Sequence, residues 1–500
     1  MSQDKLTHRL SSQDASFLYF EREESPLHIG SIAVLEGDLP YAKLVESISN
    51  KLHLIPRYTQ RVVPAPFNIG HPTWEWDPDF DITRHITEVA IEAPGTDAQL
   101  MELAGKLFAP MVKRDRPLWE MYLVNGMEGG RSAVISKVHH SLVDGVSGIE
   151  LLMIVFDVSP NPAPPIPPTE PRPRAPLPDA ATRFFDAIFD NISDVFERTA
   201  EAQRGFLDIV LEGSPRTRSV MRALETAAPY LRQPVERAPF NKPLKPGRKL
   251  AVSEFSFAEI RGIRAALGGT VNDVVLVVLG GALGRYLEMH GEKTQNRMAR
   301  ILTPVNVRHE DERGLLGNRV SMLLVEVPVG VQDPAERLRI INETTDKLKR
   351  SQVADGTELL GELTSGIPPA LQALSGLLPP PPNTLANMVC TNVPGPMIPL
   401  YCVGRRMLAH YPLVPLGWEM GVGCGVTSYN QRLYFGLMAD AEAAPDVDRL
   451  KEFLDQAFVE LRAAAGVGKS DLPQMGAGAE PARRRRAAAH ASEALAADAG

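Results

Sequence analysis

Residues 133–145 read AVISKVHHSLVDG, and this stretch decides both the fold and the chemistry expected of the chain. Ala133–Val138 is mostly apolar and β-branched, which predicts a buried or half-buried strand. Residues 149–156 (IELLMIVF) predict a core helix, so His139 and His140 lie where a strand ends and the chain turns. If strand geometry continues through them, the two side chains point to opposite faces. Only one histidine can then face a given substrate channel, and the other is free to brace the turn.

The residue types in this stretch suit a general base that deprotonates an alcohol or an amine. An aliphatic hydroxyl does not ionise at neutral pH, and histidine titrates nearest pH 7, so a positioned histidine contributes roughly 10²–10⁴-fold to such a reaction. Asp144 is placed to hold an imidazole tautomer or to tie down the loop through a basic partner. Gly145 permits a sharp turn with positive φ, and its N–H could help to stabilise a tetrahedral oxyanion.

Two other interpretations of the histidine pair stay open. A single histidine is more often a satisfied surface or core residue than a catalytic one. Adjacent histidines with an aspartate can also ligate a metal. Ligands on one element usually recur at i, i+4 on a helix or at i, i+2 on a strand, and no second cluster of His, Cys, Asp and Glu is obvious in the sequence. We therefore expect no metal site.

Composition restricts the class of protein. A chain of 500 residues with 44% hydrophobic content can bury more than one core. Its net charge of −8 argues against nucleic acid as the main partner. The three cysteines form no CxxC pair. The first residues lack a signal-peptide pattern. The longest apolar run, 274–284, is shorter than the ~20 residues that span a bilayer. We expect a cytoplasmic protein, soluble or peripherally bound at the inner membrane or at lipid inclusions.

Proline content predicts the domain organisation. Residues 159–178 contain ten prolines, which predicts an extended connector. Beyond it, apolar residues at helical spacing over 184–196 predict a helix that packs on a core or contacts lipid. The predicted units are an N-terminal domain at 1–158, the connector and helical segment at 159–243, a C-terminal domain at 244–465, and a disordered Ala/Gly/Arg-rich tail at 466–500.

Several elements of the second domain can also be predicted. Near-alternating apolar residues from Leu250 to Phe257 predict a strand, as do 321–327 and parts of 422–438. Residues 271–286 predict a helix buried nearly all round, with Asn272 and Asp273 at its start, where such side chains cap free N–H groups. Glycine-rich segments near 421–426 and 463–470 each lack a required glycine of a nucleotide-binding motif, so we reject nucleotide binding there. The chain also lacks the GxSxG motif of serine hydrolases.

An ordered set of motifs resembles one known family. His139–Gly145 resembles the HHxxxDG motif of the coenzyme A-dependent acyltransferase superfamily, which includes chloramphenicol acetyltransferase and peptide-synthetase condensation domains. Other segments are similar to motifs of the bacterial wax ester synthase/diacylglycerol acyltransferase family, and they follow in the family's order: LSSQDASF at 10–17, DRPLWE at 115–120, NDVVL at 272–276 leading into GAL at 281–283, and NVPGP at 392–396.

This resemblance implies an α/β fold of two chloramphenicol-acetyltransferase-like domains facing a central substrate channel. The histidine loop would lie in that channel, with an acyl thioester entering from one side and an alcohol from the other. Direct attack by the alcohol needs no covalent enzyme intermediate, which agrees with the missing GxSxG motif. The resemblance implies that His140 is the general base, while His139, Asp144 and Gly145 support the loop.

It also implies substrate-binding roles for five further residues, although packing explains the first three equally well and helix capping the last two: Pro117, Leu118, Trp119, Asn272 and Asp273.

The substrates implied by the resemblance are long-chain acyl-CoA together with diacylglycerol or a long-chain alcohol, and no separate cofactor. We favour triacylglycerol synthesis over wax ester synthesis. The basic residues Lys113, Arg114 and Arg116 could meet the nucleotide phosphates or be ordinary solvated charges, and Arg483–Arg486 could touch anionic lipid. Two alternatives stay open: an enzyme of the same superfamily that takes acyl groups from a carrier protein, and a lipid-binding protein that keeps the fold without catalysis.

Overall fold

The structure is a computed structural model. It describes residues 9–142, 147–163, 165–166, 176–179, 181–187, 233–306, 320–350, 368–378 and 385–470. The predicted helix beyond 187, most of the proline-rich connector and residues 471–500 lie outside the described residues.

The described elements combine helices and strands in an α/β arrangement. The strands are β1 His28–Glu36, β2 Gln60–Val63, β3 Thr73–Trp76, β4 Ile86–Ala90, β5 Trp119–Met127, β6 Arg131–His139, β7 Arg248–Ser256, β8 Met298–Asn306, β9 Val320–Pro328, β10 Met388–Val393, β11 Tyr401–Cys402, β12 Arg405–Leu413, β13 Val422–Tyr429 and β14 Arg432–Asp440. The α-helices are α1 Ser12–Phe20, α2 Tyr41–Lys51, α3 Asp97–Phe108, α4 Ser147–Val155, α5 Phe257–Leu267, α6 Val271–Met289, α7 Pro334–Arg350, α8 Pro369–Leu377 and α9 Val447–Ala464.

The first of two six-stranded sheets has the order β11-β12-β1-β6-β5-β4. Its pairs are antiparallel except for β4 with β5. Strand β6 lies in the interior between β1 and β5, and its apolar residues Ala133, Val134 and Ile135 are buried. Burial of these side chains supplies the stabilisation that holds the strand carrying the histidine pair.

The second sheet has the order β7-β14-β13-β10-β8-β9, in which β10 runs parallel to both β13 and β8. Helix α6 packs on this sheet's core and is buried around most of its circumference. A capping box formed by Thr270 and Asp273 satisfies N–H groups at the start of the helix. A long apolar helix is therefore stable here because protein surrounds it on nearly all sides.

One hairpin crosses between the two halves of the chain. Strands β11 and β12, residues 401–413, come late in the sequence but extend the first sheet, with β12 antiparallel to β1. The predicted C-terminal domain at 244–465 therefore contains a segment that belongs to the sheet of the N-terminal domain. Proline-rich segments and composition locate linkers but do not show which strands pair. The pairing of β12 with β1 therefore could not be predicted from them.

The two sheets meet where β12 crosses β13 and β14. Gly425 and Gly436 are register partners on these strands, and each lies against Pro412 of β12. A Cβ added at Gly436 would lie 1.9 Å from the carbonyl oxygen of Pro412. Gly425 and Gly436 therefore allow the close backbone contact between β12 and the second sheet.

The predicted local elements are largely confirmed. The strand ahead of the histidines, the helix after them, the strand at 250–257, the buried helix at 271–286 and the strands within 321–327 and 422–438 are all present. One boundary is corrected, because residues 466–470 were placed in the disordered tail. Val467 packs against the apolar core of the second sheet, and the N–H of Ser470 donates to Glu259 at 2.7 Å. Residues 466–470 therefore belong to the second domain.

Within the described residues, no single helix is both long enough and apolar enough to cross a membrane. Helices α5 and α6 pass that criterion only as a pair, with a bend of 95° between them.

Candidate active site

The histidine pair lies at the end of β6, where strand geometry stops. His139 is the last strand residue, and its N–H donates to the carbonyl of Leu118 at 2.9 Å. His140 begins a single 3₁₀ turn, His140–Leu142, and its N–H donates to the carbonyl of Leu27 at 2.9 Å. The backbone of each histidine is therefore fixed by a different neighbouring segment.

His139 is fully buried, its Nδ1 is hydrogen-bonded and its Nε2 faces a carboxylate. Its Nδ1 lies 2.7 Å from Ser141 Oγ and accepts the backbone N–H of Ser141 at 3.1 Å. Its Nε2 lies 3.5 Å from Glu21 Oε2, which is an ion-pair distance rather than a well-aligned hydrogen bond. His139 is therefore built into the protein interior.

Glu21, the residue directly after α1, forms the other side of this contact. Its side chain is buried, and it accepts hydrogen bonds from Arg114 at 2.8 Å and from the N–H of Leu27 at 2.9 Å. Burial alone would raise the pKa of Glu21, but the interactions with His139, Arg114 and Leu27 outweigh it and lower the pKa to about 2. The carboxylate is therefore ionised throughout the neutral range.

His140 has a different environment. Its ring stacks on Phe17 of α1, with centroids 4.1 Å apart and 16° between the planes. The residue is partly exposed, in contrast to His139, although its Nδ1 is buried. Helix α1 thus supports both histidines, through Phe17 at His140 and through Glu21 at His139.

The sheet face beneath His139 carries further buried polar groups. His28 on β1 is its direct register partner and lies 2.7 Å from the carbonyl of Phe108 through Nε2. Burial and the nearby Lys137 charge lower the pKa of His28 to about 3. Lys137 itself is held by the carbonyls of Leu107 and Pro110 and lies 3.3 Å from Glu120. These contacts tie the face to the end of α3.

A groove of about 590 Å³ lies between α1 and α8, and neither histidine lines it. Leu18, Tyr19, Leu374 and Leu377 give it an apolar wall, and Glu21 and Arg114 lie on its polar side. An apolar space of this kind suits an acyl chain.

The PLW residues of the predicted binding set lie in the interior of the first domain. Pro117 and Leu118 are buried, and Trp119 stacks between Tyr58 and His85 with centroid distances of 4.8 and 4.4 Å. Trp119 Nε1 donates to the carbonyl of Tyr58 at 2.8 Å. These are packing contacts, and the carbonyl of Leu118 also anchors His139. Contact of this segment with substrate stays a prediction.

The ND pair lies in the second domain. Asp273 is fully buried, its Oδ2 accepts the N–H and the hydroxyl of Thr270, and its Oδ1 accepts the hydroxyl of Thr345 at 2.9 Å. These contacts fix the start of α6 and join it to α7. Asn272 at the same turn is partly exposed. A role of either residue in substrate binding stays a prediction.

Three other predicted features remain: the end of the histidine loop, the NVPGP segment and the basic residues near 115. Asp144 and Gly145 lie outside the described residues. The NVPGP segment begins within the last two residues of β10, and beyond the strand the N–H of Gly395 donates to Ser428 Oγ at 3.0 Å. Of the basic residues near 115, Arg114 pairs with Glu21 and Arg116 pairs with Asp115, so both charges have partners within the protein.

Sequence reasoning missed Glu21 altogether. It belongs to none of the motifs, and its partner His139 is far away in the sequence. Phe17 falls inside the opening motif, but nothing in that motif indicates which ring it contacts. The described residues contain no group of three or more His, Cys, Asp and Glu arranged to hold a metal ion.

Comparison with protein-family models gives two matches in the order expected from the motifs. Residues 10–275 match the wax ester synthase/diacylglycerol acyltransferase catalytic domain, and residues 316–462 match the C-terminal domain of that family. The chain belongs to this acyltransferase family. The resemblance inferred from the motifs is thereby confirmed, and the chain is an acyltransferase.

Relatives and solved structures agree with the assignment. A Mycobacterium tuberculosis H37Rv protein described as a probable diacylglycerol O-acyltransferase is 30% identical over 466 residues, covering 90% of this chain and 95% of that protein. Another from the same strain, described as a putative diacylglycerol O-acyltransferase, is 31% identical over 476 residues, covering 91% and 90%.

Two solved structures show the fold. The wax ester synthase/diacylglycerol acyltransferase of Marinobacter aquaeolei VT8 has a TM-score of 0.64 at 24% identity, covering 92% of this chain and all of that one. The first condensation domain of the calcium-dependent antibiotic synthetase has a TM-score of 0.58 at 14% identity, covering 94% and 99%. The predicted α/β fold of two chloramphenicol-acetyltransferase-like domains is confirmed.

Proposed function

We propose that this acyltransferase moves a long-chain acyl group from acyl-CoA to diacylglycerol, giving triacylglycerol, and that long-chain alcohols are a second class of acceptor. One observation supports assigning the chemistry to His140. His139 is fully buried with both ring nitrogens against protein groups, whereas His140 is partly exposed at the end of the same strand. His140 is therefore the histidine of the pair that a substrate can reach.

The proposed reaction is a direct transfer. A ring nitrogen of His140 takes the proton of the acceptor hydroxyl while its oxygen bonds to the thioester carbonyl carbon. The resulting tetrahedral intermediate collapses as the carbon–sulfur bond breaks, and the imidazolium returns the proton to the departing thiolate. The products are an ester and free coenzyme A. The thioester is already activated, so we propose that no metal or other cofactor takes part and that activity persists in EDTA.

The groove between α1 and α8 supports a long apolar substrate. Glu21, which lies 3.5 Å from His139, also lines the groove, so we propose that an acyl chain in the groove leads towards the histidine pair. The proposed channel would bring donor and acceptor to that point from opposite sides.

The experiment that tests the function compares donors and acceptors. Purified protein is given palmitoyl-CoA with either dioleoylglycerol or hexadecanol, and palmitoyl carrier protein replaces the CoA donor in a parallel series. We expect triacylglycerol to be the main product and acyl-CoA the better donor. A clear preference for the carrier protein would favour the alternative class of the same superfamily, and no transfer to either acceptor would contradict the proposal.

We also propose peripheral contact with a lipid surface, since both the acceptor and the product are insoluble in water. Helix α8 and the residue after it expose four leucines, Leu371, Leu374, Leu377 and Leu378. Phe67, in the 3₁₀ turn Pro66–Asn68 that contacts α8, is 85% exposed. An exposed apolar cluster of this kind is typical of an interaction surface.

Flotation with liposomes tests the lipid contact. Leu371→Ser with Leu378→Ser should weaken binding, and neither residue lines the groove. Val459→Ser, which changes an exposed apolar residue on α9, is the matched control and should bind as the unmodified protein does. Equal binding by both variants would contradict a role for α8.

A further inference from the structure

Glu21 contacts three segments: the end of α1, the backbone at Leu27 and the histidine pair. Its carboxylate is buried and accepts hydrogen bonds from Arg114 and from the N–H of Leu27. The ring of His139 lies 3.5 Å away through Nε2. The backbone N–H of Glu21 donates to the carbonyl of Phe17 at 3.1 Å, which closes helix α1. A buried carboxylate is stable only where such donors compensate for its lost hydration. The donors therefore place the charge at one fixed point beside the histidine pair.

The first connection from Glu21 runs through the ring of His139. The backbone N–H of Ser141 can only donate, so the Nδ1 that it approaches at 3.1 Å accepts. The proton of the neutral ring then lies on Nε2, which faces Glu21 Oε2 at 3.5 Å. The carboxylate favours this tautomer because it attracts the Nε2–H, as the orienting partner of a catalytic histidine does.

The second connection runs through the backbone to His140. Leu27 donates its N–H to Glu21 Oε1 at 2.9 Å and accepts the N–H of His140 at 2.9 Å through its carbonyl. The same carboxylate therefore fixes the segment on which the backbone of His140 rests. Both histidines depend on one side chain, the first directly and the second through Leu27.

We propose that Glu21 is a positioning residue for acyl transfer. It orients the Nε2–H side of the His139 ring, whose tautomer Ser141 sets, and it fixes the turn that presents His140 to the substrate. Arg114 keeps the carboxylate oriented by donating to Glu21 and to the carbonyl of Leu18, both at 2.8 Å. The proposal rests on the acyl transfer proposed above, and it assigns Glu21 no contact with the reacting atoms.

The test is Glu21→Gln, with Glu259→Gln as its matched control. Glu259 is also buried and also accepts an arginine and a backbone N–H, from Arg462 at 2.9 Å and Ser470 at 2.7 Å, but it lies in the second domain. Glu21→Gln should lower kcat by about 10–100-fold, the usual cost of losing such an orienting partner, while KM for palmitoyl-CoA stays within about twofold. Glu259→Gln should leave both unchanged, although both variants lower the melting temperature.

A second variant and a second readout keep the test decisive. Arg114→Gln removes a partly exposed donor and should fold, with a smaller loss of kcat. Long-range ¹H–¹⁵N spectra of histidine-labelled protein should show the Nε2–H tautomer at His139 in both proteins, and Glu21→Gln should shift the ¹⁵Nε2 resonance because the facing carboxylate charge is lost. This readout needs no substrate, so it tests Glu21 even if the unmodified protein transfers nothing. A folded Glu21→Gln with kcat within about twofold of the unmodified protein would overturn the proposal, as would an unchanged ¹⁵Nε2 resonance of His139. If Glu21→Gln does not fold, unchanged kcat in Arg114→Gln would overturn it.

Discussion

At the scale of single residues, the two adjacent histidines differ because of the elements around them. Strand β6 ends at His139, which is buried with its ring against Glu21 and Ser141. The 3₁₀ turn then places His140 against Phe17, where the side chain keeps some exposure. Strand alternation alone predicts opposite directions for the two rings, and the packing of α1 determines which ring is locked.

The stacking of Phe17 on His140 gives a prediction at this scale. Phe17→Leu keeps an apolar side chain of similar volume but removes the aromatic face. Aromatic stacking contributes about 0.5–1.5 kcal/mol beyond area burial, so we expect kcat to fall by roughly 2- to 12-fold. Initial rates beside a thermal melt check this. An unchanged kcat in a folded variant would show that the stacked ring does not orient the base.

Buried histidines predict how stability depends on pH. Burial lowers the pKa of His410 on β12 from its usual 6.5 to about 4. Below pH 6.5 the unfolded chain therefore binds a proton that the folded chain does not. The free energy of unfolding must then fall as pH decreases from 6.5 towards 4, by up to about 1.4 kcal/mol per pH unit.

Urea unfolding of His410→Phe tests this dependence. The variant should lose less stability than the unmodified protein between pH 7 and pH 5, because it removes one of the groups that titrate there. His28, whose pKa is also lowered, should keep part of the slope in both proteins. Parallel stability curves over that range would contradict the assignment to His410.

At the scale of elements, the contact between β12 and the second sheet depends on glycine. Gly436→Ala would bring a methyl group to 1.9 Å from the Pro412 carbonyl oxygen, which is backbone and moves only with its strand. Gly425→Ala is the milder change, with its nearest contact at 3.0 Å. We expect Gly436→Ala to cost about 1–3 kcal/mol of unfolding free energy and Gly425→Ala distinctly less. Equal effects in chemical denaturation would show that β12 is not packed tightly here.

The elements around the histidines could be predicted because local sequence determines them. The short β-branched run at 133–138 predicts a strand, and β6 is the strand that the structure has there. Thr270 and Asp273 likewise cap α6 through groups three residues apart. Glu21 could not be predicted, because its role depends on a tertiary contact with a histidine of another segment.

At the scale of the whole molecule, the hairpin of β11 and β12 (residues 401–413) joins the two domains. It belongs to the C-terminal part of the chain but pairs in the first sheet. Strand β12 is antiparallel to β1, and it also packs on β13 and β14 of the other sheet. Residues 405–413 form strand β12, but pairing over several hundred residues leaves no local signature. Domain bounds inferred from composition therefore could not place β12 in the first sheet.

The pairing of β12 with β1 predicts cooperative unfolding. Two domains that share a strand cannot unfold independently without exposing the β1 edge and the apolar contact around Pro412, so calorimetry should show one transition for the full chain. Two well-separated transitions, or a total calorimetric enthalpy well above the van't Hoff value, would contradict this coupling.

The most direct test of the central claim is the rate of acyl transfer by His140→Ala from palmitoyl-CoA to dioleoylglycerol. The account predicts a folded protein with a melting temperature close to that of the unmodified chain and less than about a tenth of its rate, since a general base contributes roughly 10²–10⁴-fold. A folded His140→Ala that keeps more than about a tenth of the rate would remove His140 as the base and contradict the account.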